Sequence, residues 1–240
     1  MREAGWTSWS NPSSLAGEFS LYSLNAEVYG TRFFLMEAFA ATNDQSQTKS
    51  QLELIFSRKS TGRLVEPAPN SQELLDILQA GASAPDHDSL RATRFIVFTG
   101  EDKDHFGEFL AQRLTDRLAA KEATPTEGQL NKERTKLDRA PLVIAVGVKY
   151  AHETKIPELE QYASAAASCE NILLAATALG YGSMWRTGEI CYDPGVKEAL
   201  GLQSTDQIVA WLYIGSYRPD QPLEPAKSYS LEEVVSYYNR

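Results

Sequence analysis

The spacing of apolar residues becomes regular at about residue 50. Ser50 and Glu53 have the spacing of a helix capping box, and apolar residues follow at helical intervals from Leu52 to Phe56. Asn70 and Glu73 repeat this spacing before a second apolar run, which should stop before Pro85. The pattern therefore predicts two successive helices, the first starting at residue 50.

Further along, short β-branched runs alternate with longer amphipathic ones. Pro141 to Lys149 is almost continuously apolar, which is typical of a central strand covered on both faces. Ala163 to Leu179 is rich in small residues and ends at Gly180, which predicts a helix packed closely against another helix, either inside the core or across a subunit interface. The remaining predicted elements are strands over 94–99 and 208–214, helices over 102–121 and 194–201, a polar loop over 121–128, and a last helix capped by Ser230 and Glu233. This mixture predicts an α+β or α/β layered domain.

Residues 1–49 show no sustained period, although they contain scattered aromatic residues. They are either an arm that packs on the body of the protein or residues upstream of a true start at Met36. Acidic residues such as Glu3 and Glu18 argue against an organelle transit peptide. We therefore expect an N-terminal extension, 1–49, outside a single domain formed by residues 50–240.

Composition limits the partners of the chain. A formal net charge of -9 and a pI near 5.0 disfavour binding to nucleic acid or anionic lipid. Cys169 and Cys191 have no metal-binding spacing, and no apolar run approaches the roughly 20 residues that cross a bilayer. We expect a cytoplasmic protein with no membrane span, no metal and no nucleic-acid partner.

Several catalytic patterns are absent from the sequence. It contains no GxSxG, HExxH or P-loop pattern. Gly180-Tyr181-Gly182 follows a helix rather than a strand, which argues against a dinucleotide fingerprint. His87, His105 and His152 lie far apart without an obvious carboxylate partner. No residue is therefore expected to act as a catalytic nucleophile, acid or base.

Arg58, Lys59 and Ser60 follow the first predicted helix. A guanidinium fork and a hydroxyl would suit a phosphate monoester. A solvated basic helix end that complements the helix dipole is the alternative. Spacing alone leaves both interpretations open.

An ordered set of motifs adds a family resemblance. Each motif is weak alone, but the order is specific, and it extends over about residues 50–238. The chain resembles the nitroreductase superfamily, especially its minimal bacterial NAD(P)H nitroreductases. The motifs are Arg58-Lys59-Ser60, Arg63 to Pro69, Ala84-Pro85-Asp86-His87, Arg94-Phe95, Arg139-Ala140-Pro141, Lys155-Ile156-Pro157, Glu160-Gln161, Gly180 to Gly188, and Tyr213-Ile214-Gly215.

The resemblance implies a three-layer α+β fold, in which helices flank a central mixed, mostly antiparallel sheet. It also implies an intertwined homodimer with FMN at the subunit interface. Arg58, Lys59 and Ser60 would hold the phosphate and ribityl end of FMN, and Ser83 and His87 would reach the flavin from the partner subunit. Trp185, Arg186, Thr187 and Gly188 would line the isoalloxazine. Arg218, Lys227 and Arg240 are candidates for a further phosphate ligand.

The implied activity is an FMN-dependent NAD(P)H oxidoreductase. Hydride would pass from NAD(P)H through flavin N5 to an electron-poor small molecule, such as a nitroaromatic or quinone, in a ping-pong cycle. The sequence has Arg91-Ala92-Thr93 where many relatives have Gln-Pro-Trp. That departure and the N-terminal extension keep a second hypothesis open, namely a non-catalytic flavin-binding or interaction protein of the same fold.

Overall fold

The structure is a computed structural model that describes residues 45–220 and 230–238, with side chains from residue 50. The chain divides between Ser50 and Gln51 into two units, and the second extends from Gln51 to Arg240. All of the predicted extension before residue 45 lies outside the described residues. The domain boundary at residues 49 and 50 therefore stays a prediction.

Six α-helices and four strands make up the described part of the chain. The helices are α1 (Gln45–Ser57), α2 (Ser71–Ala82), α3 (Glu101–Ala119), α4 (Glu127–Arg134), α5 (Glu158–Ala178) and α6 (Pro194–Ala199). The strands are β1 (Thr93–Thr99), β2 (Leu142–Val148), β3 (Gly182–Arg186) and β4 (Gln207–Gly215), and 3-10 turns span His87–Ser89, Glu189–Cys191 and Leu231–Glu233.

The four strands form one sheet in the order β1-β2-β4-β3. All three pairings are antiparallel, and the register sets Ala145 opposite Trp211 and Trp185 opposite Leu212. Outside the named strands, Ser60 pairs with Ser183 in a parallel bridge. The predicted mixed, mostly antiparallel sheet is confirmed.

Strand alternation divides the core into two apolar clusters. On β2, Ile144 and Val146 belong to one cluster, while Val143 and Ala145 belong to the other. The first cluster packs under α2 and α5, and the second includes Leu110 of α3. Because β2 is covered on both faces, all of its residues are buried, as predicted for the continuous apolar run. The three-layer α+β fold is confirmed.

Gly81 of α2 allows a close approach to α5. A Cβ atom added to Gly81 would lie 2.7 Å from Cγ1 of Ile172. Asn171 Nδ2 also donates a hydrogen bond to the carbonyl oxygen of Ala80, at 3.0 Å. The predicted close helix contact is confirmed, and it lies inside the core.

The helix starts were predicted with mixed success. Asn70 and Glu73 form a complete capping box, with both reciprocal hydrogen bonds present. The prediction for Ser50 was wrong, because α1 begins at Gln45 and Ser50 lies inside it. The last predicted helix was also wrong, since residues 231–233 form a single 3-10 turn without a side-chain cap.

Two elements were missed. Thr126 and Gln129 form a capping box that starts α4 inside the segment predicted as a polar loop. Strand β3 is only five residues long and contains Gly182, so its sequence carries little strand signal. Both elements contribute residues to the site described next.

Candidate functional site

Main-chain pairing holds the Arg58 to Val65 segment against the sheet. Thr61 N donates to the carbonyl oxygen of Ser183 at 2.8 Å, beside the Ser60–Ser183 bridge. Further along, Val65 and Ser216 exchange two backbone hydrogen bonds of 3.0 and 2.8 Å. The predicted phosphate residues Arg58, Lys59 and Ser60 therefore lie next to the start of β3.

Arg58 is restrained by an acidic residue of α5. Its Nε lies 3.4 Å from Oε1 of Glu170, and its side chain is 28% exposed. This ion pair fixes one edge of the guanidinium. The fork geometry of arginine leaves the terminal nitrogens as further donors.

A buried hydroxyl lies close to this segment. Ser183 is 2% exposed, and its Oγ has no hydrogen-bond partner among the described residues. Buried polar atoms are normally satisfied. Ser183 therefore offers a free hydroxyl beside Ser60.

The chain leaves β3 through an unusual turn. Trp185 and Arg186 are half-buried, whereas Thr187 and Gly188 are exposed. Gly188 has a φ of 129°, and a Cβ atom added there would meet nothing within 4 Å. The turn thus presents bare backbone next to open space, which allows a flat ligand to approach closely.

The four predicted isoalloxazine residues are brought together at one cavity. This first cavity has a volume of about 490 Å³. Its lining residues are Lys132, Lys136, Arg139, Trp185, Arg186, Thr187, Gly188, Glu189, Ile190, Trp211 and Tyr213. Four cationic side chains and one carboxylate thus surround a pocket whose volume is in the usual range for small ligands.

A second cavity of about 390 Å³ shares Lys132 and Arg139 with the first. It is lined by Arg63, Leu64, Val65, Lys132, Thr135, Asp138, Arg139 and Arg218. Arg218 was one of three candidate phosphate ligands. Lys227 and Arg240, the other two, lie outside the described residues.

Five predicted site residues line neither cavity. These are Arg58, Lys59, Ser60, Ser83 and His87. Ser83 Oγ donates to the carbonyl oxygen of Ala80 at 2.7 Å, and His87 Nδ1 lies 2.6 Å from Oε2 of Glu160. The role of Ser83 and His87 toward a partner subunit stays a prediction.

Two of the three histidines have carboxylate partners that were not obvious from the sequence. Glu160 contacts His87, and Glu158 Oε1 lies 3.7 Å from His152 Nδ1. Both carboxylates come from the first turn of α5, which lies 73 positions from His87 but only six from His152. Glu160 accepts a hydrogen bond from His87, which raises the pKa of His87 above 6.5.

A buried carboxylate anchors the chain just after the turn. Asp193 caps α6 by accepting hydrogen bonds from Gly195 N and Val196 N. It also pairs with Arg113 at 3.0 Å and Arg117 at 2.8 Å. Burial alone would raise the pKa of Asp193, but these hydrogen bonds outweigh that effect and lower it.

A neutral phenol lines the first cavity, and a neutral thiol directly follows the lining residue Ile190 in the chain. Burial raises the pKa of Tyr213 to about 12, and its hydroxyl donates to the carbonyl oxygen of Lys136 at 3.2 Å. Burial likewise raises the pKa of neighbouring Cys191 to about 11. The cavity therefore supplies cations and hydrogen-bond donors, not a nucleophile.

Lys132, Lys136, Arg139 and Arg63 were missed as site residues. The two lysines are four residues apart on and just after α4, an element that was itself missed. The Thr126–Gln129 capping spacing, followed by cations at helical intervals, could have indicated them. Arg139 and Arg63 belong to motifs of the resemblance, but no role was assigned to either.

Two absences apply to the described residues only. Within 45–220 and 230–238, no group of three or more His, Cys, Asp or Glu side chains could hold a metal ion. The helices in the same ranges are too short or too polar to cross a membrane.

Sequence comparison matches residues 55–216 to the model of the Nitroreductase family. The chain is 39% identical over 165 residues to the Escherichia coli (strain K12) protein named "Putative NAD(P)H nitroreductase YdjA". That match covers 69% of this chain and 87% of the relative.

Solved structures share the fold. A nitroreductase-like family protein from Bacillus cereus matches with a TM-score of 0.65 at 23% identity, covering 79% of this chain and 96% of that one. A nitroreductase from Desulfovibrio desulfuricans in complex with FMN matches with a TM-score of 0.58 at 23% identity, covering 83% and 100%. Together with the family match over most of its length, these findings establish that the chain belongs to the nitroreductase family.

Proposed function

We propose that this protein is an FMN-dependent NAD(P)H oxidoreductase that reduces electron-poor small molecules. The observation that carries the proposal is the convergence of Trp185–Gly188 and four cations at the first cavity. The NAD(P)H nitroreductase name of the Escherichia coli relative and the FMN in the Desulfovibrio desulfuricans structure support the same conclusion.

The residues present fit a flavin. The first cavity is large enough for a tricyclic ring, and the bare backbone at Gly188 would allow contact with the ring edge. Trp185 and Arg186 would flank the ring, and Thr187 would offer a hydroxyl and a backbone donor. The donor set suits a flat, electron-accepting ligand.

The phosphate and ribityl end would be held by Arg58, Lys59 and Ser60. A charged fork and a hydroxyl suit a phosphomonoester. The unpartnered Oγ of Ser183 adds a buried hydrogen-bonding group beside Ser60, which suits a polyhydroxylated chain. This supports the functional interpretation of the motif over a solvated helix end.

Bound FMN would supply the redox chemistry, accepting a hydride from NAD(P)H and passing electrons to a nitroaromatic or quinone in ping-pong order. The protein would contribute position and electrostatics. Lys136 pairs with Glu133, and Glu189, the one acidic residue among the described lining residues, lies 3.8 Å from Arg117. Lys132, Arg139 and Arg186 therefore leave an excess of positive charge that favours an anion in the first cavity.

We propose a homodimer as the working form. Several large apolar side chains are exposed, among them Phe56 at 69%, Leu159 at 78% and Leu231 at 72%. Tyr237 and Tyr238 are exposed by 83% and 89% in the same C-terminal segment. An exposed apolar set of this size suits a subunit interface, through which Ser83 and His87 would reach the partner's flavin.

Two further assignments belong to the proposal. The family match begins at residue 55, which supports an extension over 1–49 outside a domain of residues 50–240. Cys169 and Cys191 are both free thiols, which suits a reduced compartment such as the cytoplasm.

Steady-state kinetics test the proposed reaction. FMN-loaded protein should oxidise NADPH or NADH over many turnovers only when a quinone or nitroaromatic is present to reoxidise the flavin, and varying both substrates should give parallel double-reciprocal lines. Bound FMN without oxidation of either nucleotide would instead favour the non-catalytic flavin-binding hypothesis.

A further inference from the structure

The second cavity is surrounded by cations that backbone contacts hold in place. Leu64 N donates to the carbonyl oxygen of Arg139 at 2.8 Å, which brings Arg63 and Arg139 together. The antiparallel Val65–Ser216 bridge has Arg63 two residues before it on one segment and Arg218 two residues after it on the other. Three guanidinium groups therefore converge on one space.

Most of this charge is not neutralised by the protein. Arg218 pairs with Asp220 at 2.8 Å. Arg63, Lys132 and Arg139 form no ion pair or side-chain hydrogen bond with any residue that the structure describes. Asp138 is the single carboxylate among the described residues lining this cavity. Because the whole chain carries a net charge of -9, this local excess of positive charge is unusual and favours an anion.

We propose that the second cavity binds the 2′-phosphate of NADPH and so selects NADPH over NADH. This inference rests on the proposed function, because it requires the nicotinamide to enter the first cavity. Lys132 and Arg139 line both cavities, so a dinucleotide seated in the first can extend into the second. A phosphomonoester dianion suits arginine forks, whereas the 2′-hydroxyl of NADH leaves the cations uncompensated.

FMN alone does not account for the second cluster. FMN carries a single phosphomonoester, which the proposal assigns to Arg58, Lys59 and Ser60, and none of these lines the second cavity. Arg218, a candidate for a further ligand of that phosphate, is paired with Asp220. Arg63, Lys132 and Arg139 have no assigned contact with FMN and are thus available to a second phosphate.

Calorimetric titration of the FMN-loaded protein with adenosine 2′,5′-bisphosphate and adenosine 5′-monophosphate tests the site directly. The bisphosphate should bind at least about tenfold more tightly, a difference of about 1.4 kcal/mol. Arg63→Gln and Lys132→Gln should largely remove this preference. Lys121→Gln is the matched control, because Lys121 is exposed and lines neither cavity. Equal affinity for both nucleotides in the unmodified protein would overturn the proposal.

Kinetics then distinguish whether the second cavity binds the 2′-phosphate of NADPH or the phosphate of FMN. Arg63→Gln should lower kcat/KM about tenfold for NADPH and change it little for NADH. If Arg63→Gln instead loses FMN while the NADPH to NADH ratio is unchanged, the cluster holds the flavin phosphate and the inference is wrong. If neither nucleotide is oxidised, the proposed function fails, whereas the titration still reports on the second cavity.

Discussion

Arg58 and Glu170 form an ion pair at the edge of the proposed cofactor site, with Nε and Oε1 3.4 Å apart. Arg58→Ala should weaken FMN binding about tenfold or more, because it removes a charge-assisted contact to phosphate. Fluorescence titration of the apoprotein with FMN measures this change.

Glu170→Gln provides the control, since it breaks the same ion pair and leaves the guanidinium. If Arg58 only stabilises the fold, both variants should lose similar stability and bind FMN alike. FMN affinity unchanged in Arg58→Ala would remove Arg58 from the site.

His87 provides a pH-dependent prediction. The hydrogen bond to Glu160 raises the pKa of His87 above 6.5, so the pair stabilises the fold below that pH. This contribution should be lost as the pH rises through the raised pKa. Glu160→Gln should lower the pKa of His87 in an NMR titration, and exposed Glu153→Gln should not. A pKa of His87 at or below 6.5 in the unmodified protein would contradict the assignment.

Some residues of the candidate site could be predicted from the sequence, whereas some side-chain contacts could not. Trp185 to Gly188 were predicted because they form a contiguous motif, and the structure brings all four to one cavity. The partner of His87 could not be read from the sequence, because Glu160 lies 73 positions away. Contacts of that kind depend on how α5 packs.

At the scale of elements, Asp193 connects α6 to α3. Asp193→Asn should cost about 3 kcal/mol, because it leaves Arg113 and Arg117 without a buried partner. Exposed Asp116→Asn, which removes a weaker contact to Arg113, should change stability by less than about 0.5 kcal/mol. Urea denaturation measures the free energy of unfolding of each variant. Equal losses in the two variants would refute the view that buried Asp193 holds α6 against α3.

The same carboxylate adds a dependence on pH. Since the pKa of Asp193 is lowered in the folded state, its carboxylate contributes to the free energy of unfolding at pH values above the ordinary pKa of 3.8. This contribution is lost as the pH falls through the lowered pKa. The stability difference between the unmodified protein and Asp193→Asn should therefore narrow in strong acid.

Two glycines with positive φ lie on either side of β3 and form a matched pair for mutation. Gly188 and Gly180 have φ values of 129° and 85°, and an added Cβ would meet nothing within 4 Å at either. Gly188→Ala and Gly180→Ala should each cost about 1–2 kcal/mol through backbone strain. Only Gly188→Ala should also weaken FMN binding, because only Gly188 lines the first cavity. Equal FMN affinity in the two variants would contradict the proposed contact between the Gly188 backbone and the edge of the flavin ring.

Elements were predictable where local signals were strong. The continuous apolar run was enough to predict β2, and the capping box was enough to predict the start of α2. Strand β3 could not be predicted, because its five residues are stabilised by pairing with β4 rather than by propensity. Since β3, α4 and the segments that directly follow them supply most of the described residues lining the first cavity, the cavity itself could not be predicted from the sequence.

At the scale of the molecule, the order of weak motifs was more informative than any single one. It led to the family, the three-layer fold and the sheet, all of which are confirmed. The basic character of the cavities was not foreseen, because the chain as a whole is acidic. Local charge depends on which cations the fold gathers, and Arg63, Arg139 and Arg218 come from three separate segments.

The central claim is that this chain binds FMN and reduces it with a nicotinamide nucleotide. Anaerobic addition of NADPH to the FMN-loaded protein, followed by absorbance at about 450 nm, measures both steps. We expect a flavin band that bleaches on addition of NADPH and returns when a quinone is added. A protein that takes up no FMN, or whose flavin band stays unchanged with both NADPH and NADH, would contradict this claim.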